Sequence, residues 1–333
     1  MPLVSGGDTP MKKIMIALTA VVCAVAFAQS AAAQTFPSRP VKLAVPFPAG
    51  GGTDLLARVV AEALTKKWGQ PVIVENLSGA ASGNVGASEV ARAAPDGSTL
   101  MLSPPGPIAM NKLLYKNMPF DSSAWVPISV VASVPYVLAV RNGLGVTDVK
   151  GLIEKAKADA KITYASPGAG TVGHLAAKQF EMMAGIKLTT VPYRGLALAL
   201  KDIVGGHVDL IFDTAGTSLP LHHTKQVSII ATGSPERWSG LPDVPTIAEA
   251  GLTGFRAVTW YAMVAPPATP AAIADKISKD VAEVVKDPAT ADAIRTKLQM
   301  DPIGSTSAEA AKLFTEEARL WAKVIHDADV SLD

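Results

Sequence analysis

Residues 41–54, VKLAVPFPAGGGTD, run a short apolar strand into three consecutive glycines and then into a Thr-Asp pair at the mouth of a helix. A strand that passes to a helix through so short a turn belongs to a β-α-β series, which folds as an α/β protein with right-handed crossovers. The glycines indicate what the turn can do. Gly50, Gly51 and Gly52 can take positive φ and let a ligand touch the main chain. Successive N–H groups in such a turn converge into a concave nest, and the helix expected over 55–67 adds the positive end of its dipole. The expected guest is an anion, not necessarily a phosphate.

The segment ahead of that strand is not fold. Met11-Lys12-Lys13 is a charged start, residues 14–27 are apolar, and Ala31-Ala32-Ala33 precedes Gln34. This is the pattern of a secretory signal peptide cleaved near Ala33, with residues 1–10 as an upstream extension. A membrane anchor would need about 20 apolar residues, more than this run supplies. The mature protein is expected to be exported and soluble. Cys23, the one cysteine, lies inside the leader, so the mature chain has no disulfide, no cysteine nucleophile and no thiolate metal site. Removing Lys12, Lys13 and Asp8 from 30 basic and 29 acidic residues leaves 28 of each. That balance gives no basic face for nucleic acid.

About 300 mature residues suggest two domains. Strands are expected over 41–45, 72–75, 99–103, 162–165, 188–191, 208–212 and 227–231. Helices are expected over 55–67, 85–93, 149–160, 173–184 and 196–204, with a helical tail over 271–286, 289–298 and 308–324. The order reads as two α/β lobes, each with its own mostly parallel sheet. Residues 34–134 and 257–333 form the first lobe and residues 135–256 the second. The apolar runs 128–140 and 255–264 are the paired crossovers. Open α/β sheets bind ligands beyond the carboxyl ends of their strands, so the cleft between lobes is the expected site.

A second glycine turn, Ser166-Pro167-Gly168-Ala169-Gly170-Thr171-Val172-Gly173, follows a strand and opens a helix in the second lobe. It fits G-x-G-x-x-G, but the dinucleotide fingerprint also wants an acidic residue at the end of the next strand. That strand ends Thr190-Val191-Pro192-Tyr193-Arg194, so the turn reads as a second anion nest and no cofactor is expected. Two nests suit a small carboxylate, with hydroxyls of Thr53, Ser166 and Thr171 as further donors. Either turn could equally be only a tight βα connection with a helix cap. Asp54 is a helix cap or dipole partner, or it orients a water or meets a ligand donor. Asp213, with Thr214 beside it, selects a ligand hydroxyl or amine, or caps the next helix. His174 donates to a ligand or caps its own helix. No G-x-S-x-G, P-loop or H-E-x-x-H supports catalysis. His222-His223 reads as a surface turn, His207 as a turn residue and His326 as a tail-helix surface residue; no metal site is expected.

Several segments together carry a resemblance: Pro46-Phe47-Pro48-Ala49-Gly50-Gly51-Gly52-Thr53-Asp54, Ala94-Pro95-Asp96-Gly97, Tyr164-Ala165-Ser166-Pro167-Gly168, Val191-Pro192-Tyr193-Arg194-Gly195 and Ala265-Pro266-Pro267. Over nearly the whole mature chain they resemble the tripartite tricarboxylate transporter substrate-binding proteins, the Bug family. The resemblance implies a two-lobed periplasmic-binding-protein fold (type II-like). It implies a monomeric, non-enzymatic receptor that captures a mono-, di- or tricarboxylate and delivers it to inner-membrane transporter subunits. Carried over, the carboxylate contacts fall on Phe47, Ala49, Gly50, Gly51, Gly52, Thr53 and Asp54, and on Ser166, Gly168, Ala169, Gly170 and Thr171, with His174 adjacent. Ser103, Tyr193, Arg194, Asp213 and Thr214 would line the variable far end. Two segments depart from the family pattern: Leu196-Ala197-Leu198-Ala199-Leu200 stands where a Gly and a Pro-Ala are usual, and Ser103-Pro104-Pro105-Gly106-Pro107 is unusually proline-rich. An apolar far wall there favours an aromatic or alkyl carboxylate over citrate. The other classes left open are an exported enzyme acting on a carboxylate and a receptor feeding a sensor protein.

Overall fold

Among the described residues ten strands hydrogen-bond into one continuous sheet. They are β1 (Val41–Val45), β2 (Val72–Asn76), β3 (Thr99–Ser103), β4 (Val126–Arg141), β5 (Thr163–Ser166), β6 (Thr189–Pro192), β7 (Leu210–Thr214), β8 (Val227–Thr232), β9 (Val258–Ala265) and β10 (Asp301–Pro302). The computed structural model describes residues 36–333 except Ala80, Ala81, Ala160, Pro167, Arg194, Gly195 and Asp333. The leader expected over 1–33 and the candidate Arg194 therefore lie outside the described residues. The strand order is β2-β1-β3-β9-β4-β7-β5-β6, with β8 and β10 also paired to β4.

That arrangement corrects the expectation of separate, mostly parallel sheets. β1 is parallel to β2 and β3, and β5 is parallel to β6 and β7. β4 and β9 run antiparallel to their neighbours. The physical reason is the length of β4. Sixteen residues at about 3.3 Å each span roughly 50 Å, enough to serve both halves. Its first part pairs with β9 up to Pro135↔Val258, and its second part pairs with β7 from Tyr136↔Thr214 onward. The fold is two-lobed and mixed α/β, joined through these crossover strands.

Each parallel half repeats one unit. β1 leads into the helix Gly52–Trp68, which stops at Gly69 in the left-handed region with its N–H on the Thr65 carbonyl. β5 leads into the helix Val172–Ala184, which stops in the same way at Gly185. Helices Leu196–Val204 and Ala271–Lys286 match the expected boundaries. The helix that Asp213 was read as capping runs over Ala215–His223, and Pro220 inside it hides its pattern and range in the sequence. His222-His223 thus ends a helix instead of forming a turn. Among the described residues no helix is long and apolar enough to cross a membrane.

The second half-sheet is packed around Phe180, Phe212 and Phe255, whose rings lie 5.6–6.4 Å apart. The first half holds Trp125 and Trp260, the latter stacked on Phe314 of the C-terminal helix Ser307–Asp327. A further cluster contains Met110, Leu114, Val172, Leu175, Trp321, Val324 and Ile325. It ties the segment after β3 to the second-turn helix through the C-terminal helix. Leu332 extends it by donating its N–H to the Leu114 carbonyl at 3.0 Å.

Candidate functional site

The helix after β1 makes its first internal bond from the Leu55 N–H to the Gly51 carbonyl. The N–H groups of Gly52, Thr53 and Asp54 therefore have no intrahelical acceptor. Gly50 takes φ 85°, and its N–H donates to Asp54 Oδ2 at 2.9 Å. Asp54 is only 2% exposed. It also accepts from Arg58 Nε at 3.1 Å and from Asn76 Nδ2 at 3.1 Å, and Arg58 Nη2 lies 2.9 Å from its other oxygen. Asn76 in turn donates to the Phe47 carbonyl at 3.1 Å. Burial pushes the Asp54 carboxyl up, but Arg58, Gly50 and Asn76 outweigh it and hold it below its ordinary value. Asp54 is thus the brace of the first turn. The N–H of Gly50 belongs to that brace, while Ala49, Gly51 and Gly52 are exposed and Phe47 is half-buried.

The second turn is built alike with other groups. Thr171 is the N-cap: its hydroxyl accepts the His174 N–H at 3.3 Å and donates to the Gly168 carbonyl at 2.8 Å. The Gly170 N–H donates to His174 Nδ1 at 3.1 Å. An accepting Nδ1 leaves the proton of the neutral ring on Nε2. Burial, helped by Lys178, pushes His174 down from its ordinary value. Ala169 at the tip is exposed and Ser166 is buried. Among the described residues the Thr53 hydroxyl carries no hydrogen bond, the Ser166 hydroxyl faces that of Tyr164, and the Thr171 hydroxyl is fully engaged in its own cap.

The remaining candidates separate. Ser103 is fully buried and donates to the Pro104 carbonyl. Tyr193 donates its hydroxyl to Asp202 at 2.8 Å, and burial together with that carboxylate pushes it up to about 12. Asp213 is 1% exposed. It accepts from the Thr214 N–H at 2.6 Å, the Thr217 hydroxyl at 2.6 Å and the Ser218 hydroxyl at 2.7 Å, so it braces the start of the helix Ala215–His223. Burial pushes Asp213 up to about 6, against the pull of those three donors. Among the described residues no cluster of three or more His, Asp or Glu could hold a metal ion.

Two residues that sequence reasoning passed over stand beside the turns. Tyr261 on β9 is 8% exposed, and its hydroxyl lies 3.2 Å from where a Cβ on Gly52 would stand. Met300 Cε lies equally close, so a side chain at residue 52 would crowd both. Tyr136 on β4 sits opposite Thr214, packs against the cluster containing Val172 and Leu175, and has the Gly173 N–H close to its hydroxyl. Burial first, then Tyr261 and Asp213, push Tyr136 well above an ordinary phenol; burial and Asp213 raise Tyr261 to about 12. The signal was available: each crossover run contains a single tyrosine.

With this geometry in place, the comparisons with known proteins agree with one another. Residues 56–330 match the profile of the tripartite tricarboxylate transporter family receptor. Protein BugT of Bordetella pertussis is 30% identical over 325 residues, covering 97% of this chain and 99% of that one. The solved structure of R. palustris Rpa4515 with adipate superimposes with a TM-score of 0.80 at 35% identity, covering 89% of this chain and 99% of that one. MatC (Rpa3494) from Rhodopseudomonas palustris with bound malate gives a TM-score of 0.75 at 29% identity, covering 87% and 100%.

Proposed function

The chain belongs to the tripartite tricarboxylate transporter receptor family, and from that premise we propose that it captures a small organic carboxylate in the periplasm. It then delivers that ligand, chemically unchanged, to the inner-membrane subunits of its transporter. The observation that carries the carboxylate is the pair of glycine turns. Each lies at the carboxyl end of a strand in its own half of the sheet, and each opens a helix whose first N–H groups lack an intrahelical acceptor. The relatives solved with adipate and malate support the same ligand class.

In this reading Gly51, Gly52 and Thr53 bind one side of the carboxylate, and Ser166, Gly168 and Ala169 the other. The lobes comprise residues 34–134 with 257–333, and residues 135–256. They part where β4 leaves β9 for β7, between Pro135 and Tyr136. The receptor acts as a monomer, and closure follows from the ligand binding both lobes at once. A few charge-assisted hydrogen bonds at about 1.5–3 kcal/mol each are enough for micromolar affinity, about −8 kcal/mol. Titration calorimetry against adipate, malate, citrate and benzoate tests the proposal: at least one binds with micromolar affinity and is recovered intact. Absence of binding across the panel overturns it, and turnover of a bound acid moves the protein to an enzyme.

A further inference from the structure

We infer that Tyr136 and Tyr261 are ligand-binding residues: two phenol donors, one from each crossover strand, that form the floor of the carboxylate site and complete the two glycine turns. The inference rests on the receptor reading above and adds to it the groups that read the face of the anion turned away from the backbone.

Three observations lead there. The first is placement. Tyr261 pairs across from Ala132 on β4, one residue past the Ser103↔Ala262 pair that ends β3. Tyr136 pairs across from Thr214, the last residue of β7. Both therefore stand where a crossover strand passes the carboxyl ends of the parallel strands, which is where α/β sheets hold their ligands. The second is contact with the turns. The Tyr261 hydroxyl occupies the space a side chain on Gly52 would need, and Tyr136 packs against the cluster that contains Val172 and Leu175 and accepts the Gly173 N–H at the start of the second helix.

The third is the state of the hydroxyls. The Tyr136 oxygen accepts the Gly173 N–H, which leaves its own O–H proton to donate; among the described residues the Tyr261 hydroxyl has no hydrogen-bond partner and is not among the fully sequestered, unpartnered polar atoms. A phenol that has not given its proton to a neighbour offers a donor to whatever enters. The nearby negative charge of Asp213 does not compete for that donor. Its oxygens already take Thr214, Thr217 and Ser218, and its side chain is closed to the cleft. Burial, with a smaller contribution from Asp213, keeps both phenols protonated. Two neutral O–H donors beside two sets of N–H donors select an acceptor-only ligand group, which is an ionised carboxylate.

The test compares Tyr136→Phe, Tyr261→Phe and the double variant with the full-length mature protein, using adipate and malate as probes in titration calorimetry. Each site variant is expected to weaken binding about five- to twentyfold. The melting temperature of the ligand-free protein should stay within a degree or two, because phenylalanine keeps the ring. Ligand should also perturb the tyrosine ultraviolet spectrum in the wild type and not in the double variant. Wild-type affinity in both single variants, with adipate or malate bound normally by the parent, overturns this inference and leaves the receptor reading standing. If the parent binds neither probe nor any acid of the wider panel, the receptor reading falls and this inference falls with it.

Discussion

At the first turn a carboxylate, Asp54, accepts the N–H of Gly50; at the second an imidazole, His174, accepts the N–H of Gly170. Both braces lie four residues after the glycine they hold, and both are the third residue of the helix that follows. The first is ionic: Arg58 stands on Asp54, which stays charged well into acid. The second is neutral, relies on an unprotonated Nδ1, and is reinforced by the Thr171 cap. One geometry built from two protonation chemistries means that the two sides of the site respond to different perturbations.

The largest expected effect comes from removing the ionic brace. Asp54→Ala frees the Gly50 N–H, Asn76 and Arg58 together. Because Arg58 is half exposed, its share is small, and the loss should total about 2–3 kcal/mol. Urea unfolding reads this directly, and carboxylate affinity should fall at least tenfold in parallel. If stability drops while affinity is unchanged, the first turn does not hold the ligand and the comparison between turns loses its meaning.

Next comes the cap of the second turn. Thr171→Ala removes both the N-cap bond and the hydroxyl's bond to Gly168, at a cost of about 1 kcal/mol. Thermal unfolding should show that loss and binding a smaller one. A substitution that leaves both unchanged would show that His174 alone shapes the turn.

The smallest effect distinguishes the braces by pH. His174 is held below its ordinary value by burial, so the folded protein prefers the neutral ring. Its contribution is fully present above about 6.5 and is lost as pH falls through the lower folded value. Asp54, itself held low, keeps its brace over that interval and loses it only as pH falls through its own depressed value. Between those ranges only the second turn should loosen, weakening ligand about threefold. His174→Gln can still accept the Gly170 N–H and does not titrate, so calorimetry at neutral and mildly acid pH should show a flatter profile for it. An equally steep profile would assign the acid sensitivity elsewhere.

Much of this was legible in the residues. The β-turn-α units, the second glycine register and the helices Leu196–Val204 and Ala271–Lys286 follow from periodicity and stop signals. The role of Asp54 was half visible, because Arg58 stands four residues on, where a helix brings opposite charges together. Other features were hidden for physical reasons. The helix Ala215–His223 carries a proline and has almost no amphipathic pattern. The bond from Tyr193 to Asp202 runs to the next helix and takes that hydroxyl out of the turn it was expected to serve. Tyr136 and Tyr261 are far apart in sequence, and only the pairing of β4 with β9, which sets Tyr261 opposite Ala132, brings them within four strand residues of each other. Local patterns report spacing along one chain segment; neighbours across a crossover come from topology.

The shared strand β4 carries a mechanical consequence. A receptor whose lobes meet at flexible loops turns like a pin joint, with little restoring torque. Here the lobes share one unbroken strand, with register shifts at Pro127/Ser129 and Val130/Ala132 against β9 and at Leu138/Ala139 against β8. Opening or closing such a molecule twists a hydrogen-bonded ribbon, as loading a leaf spring does. Elastic energy stored in one position is returned in the other, so the stiffness of this ribbon helps set how readily a captured acid is released.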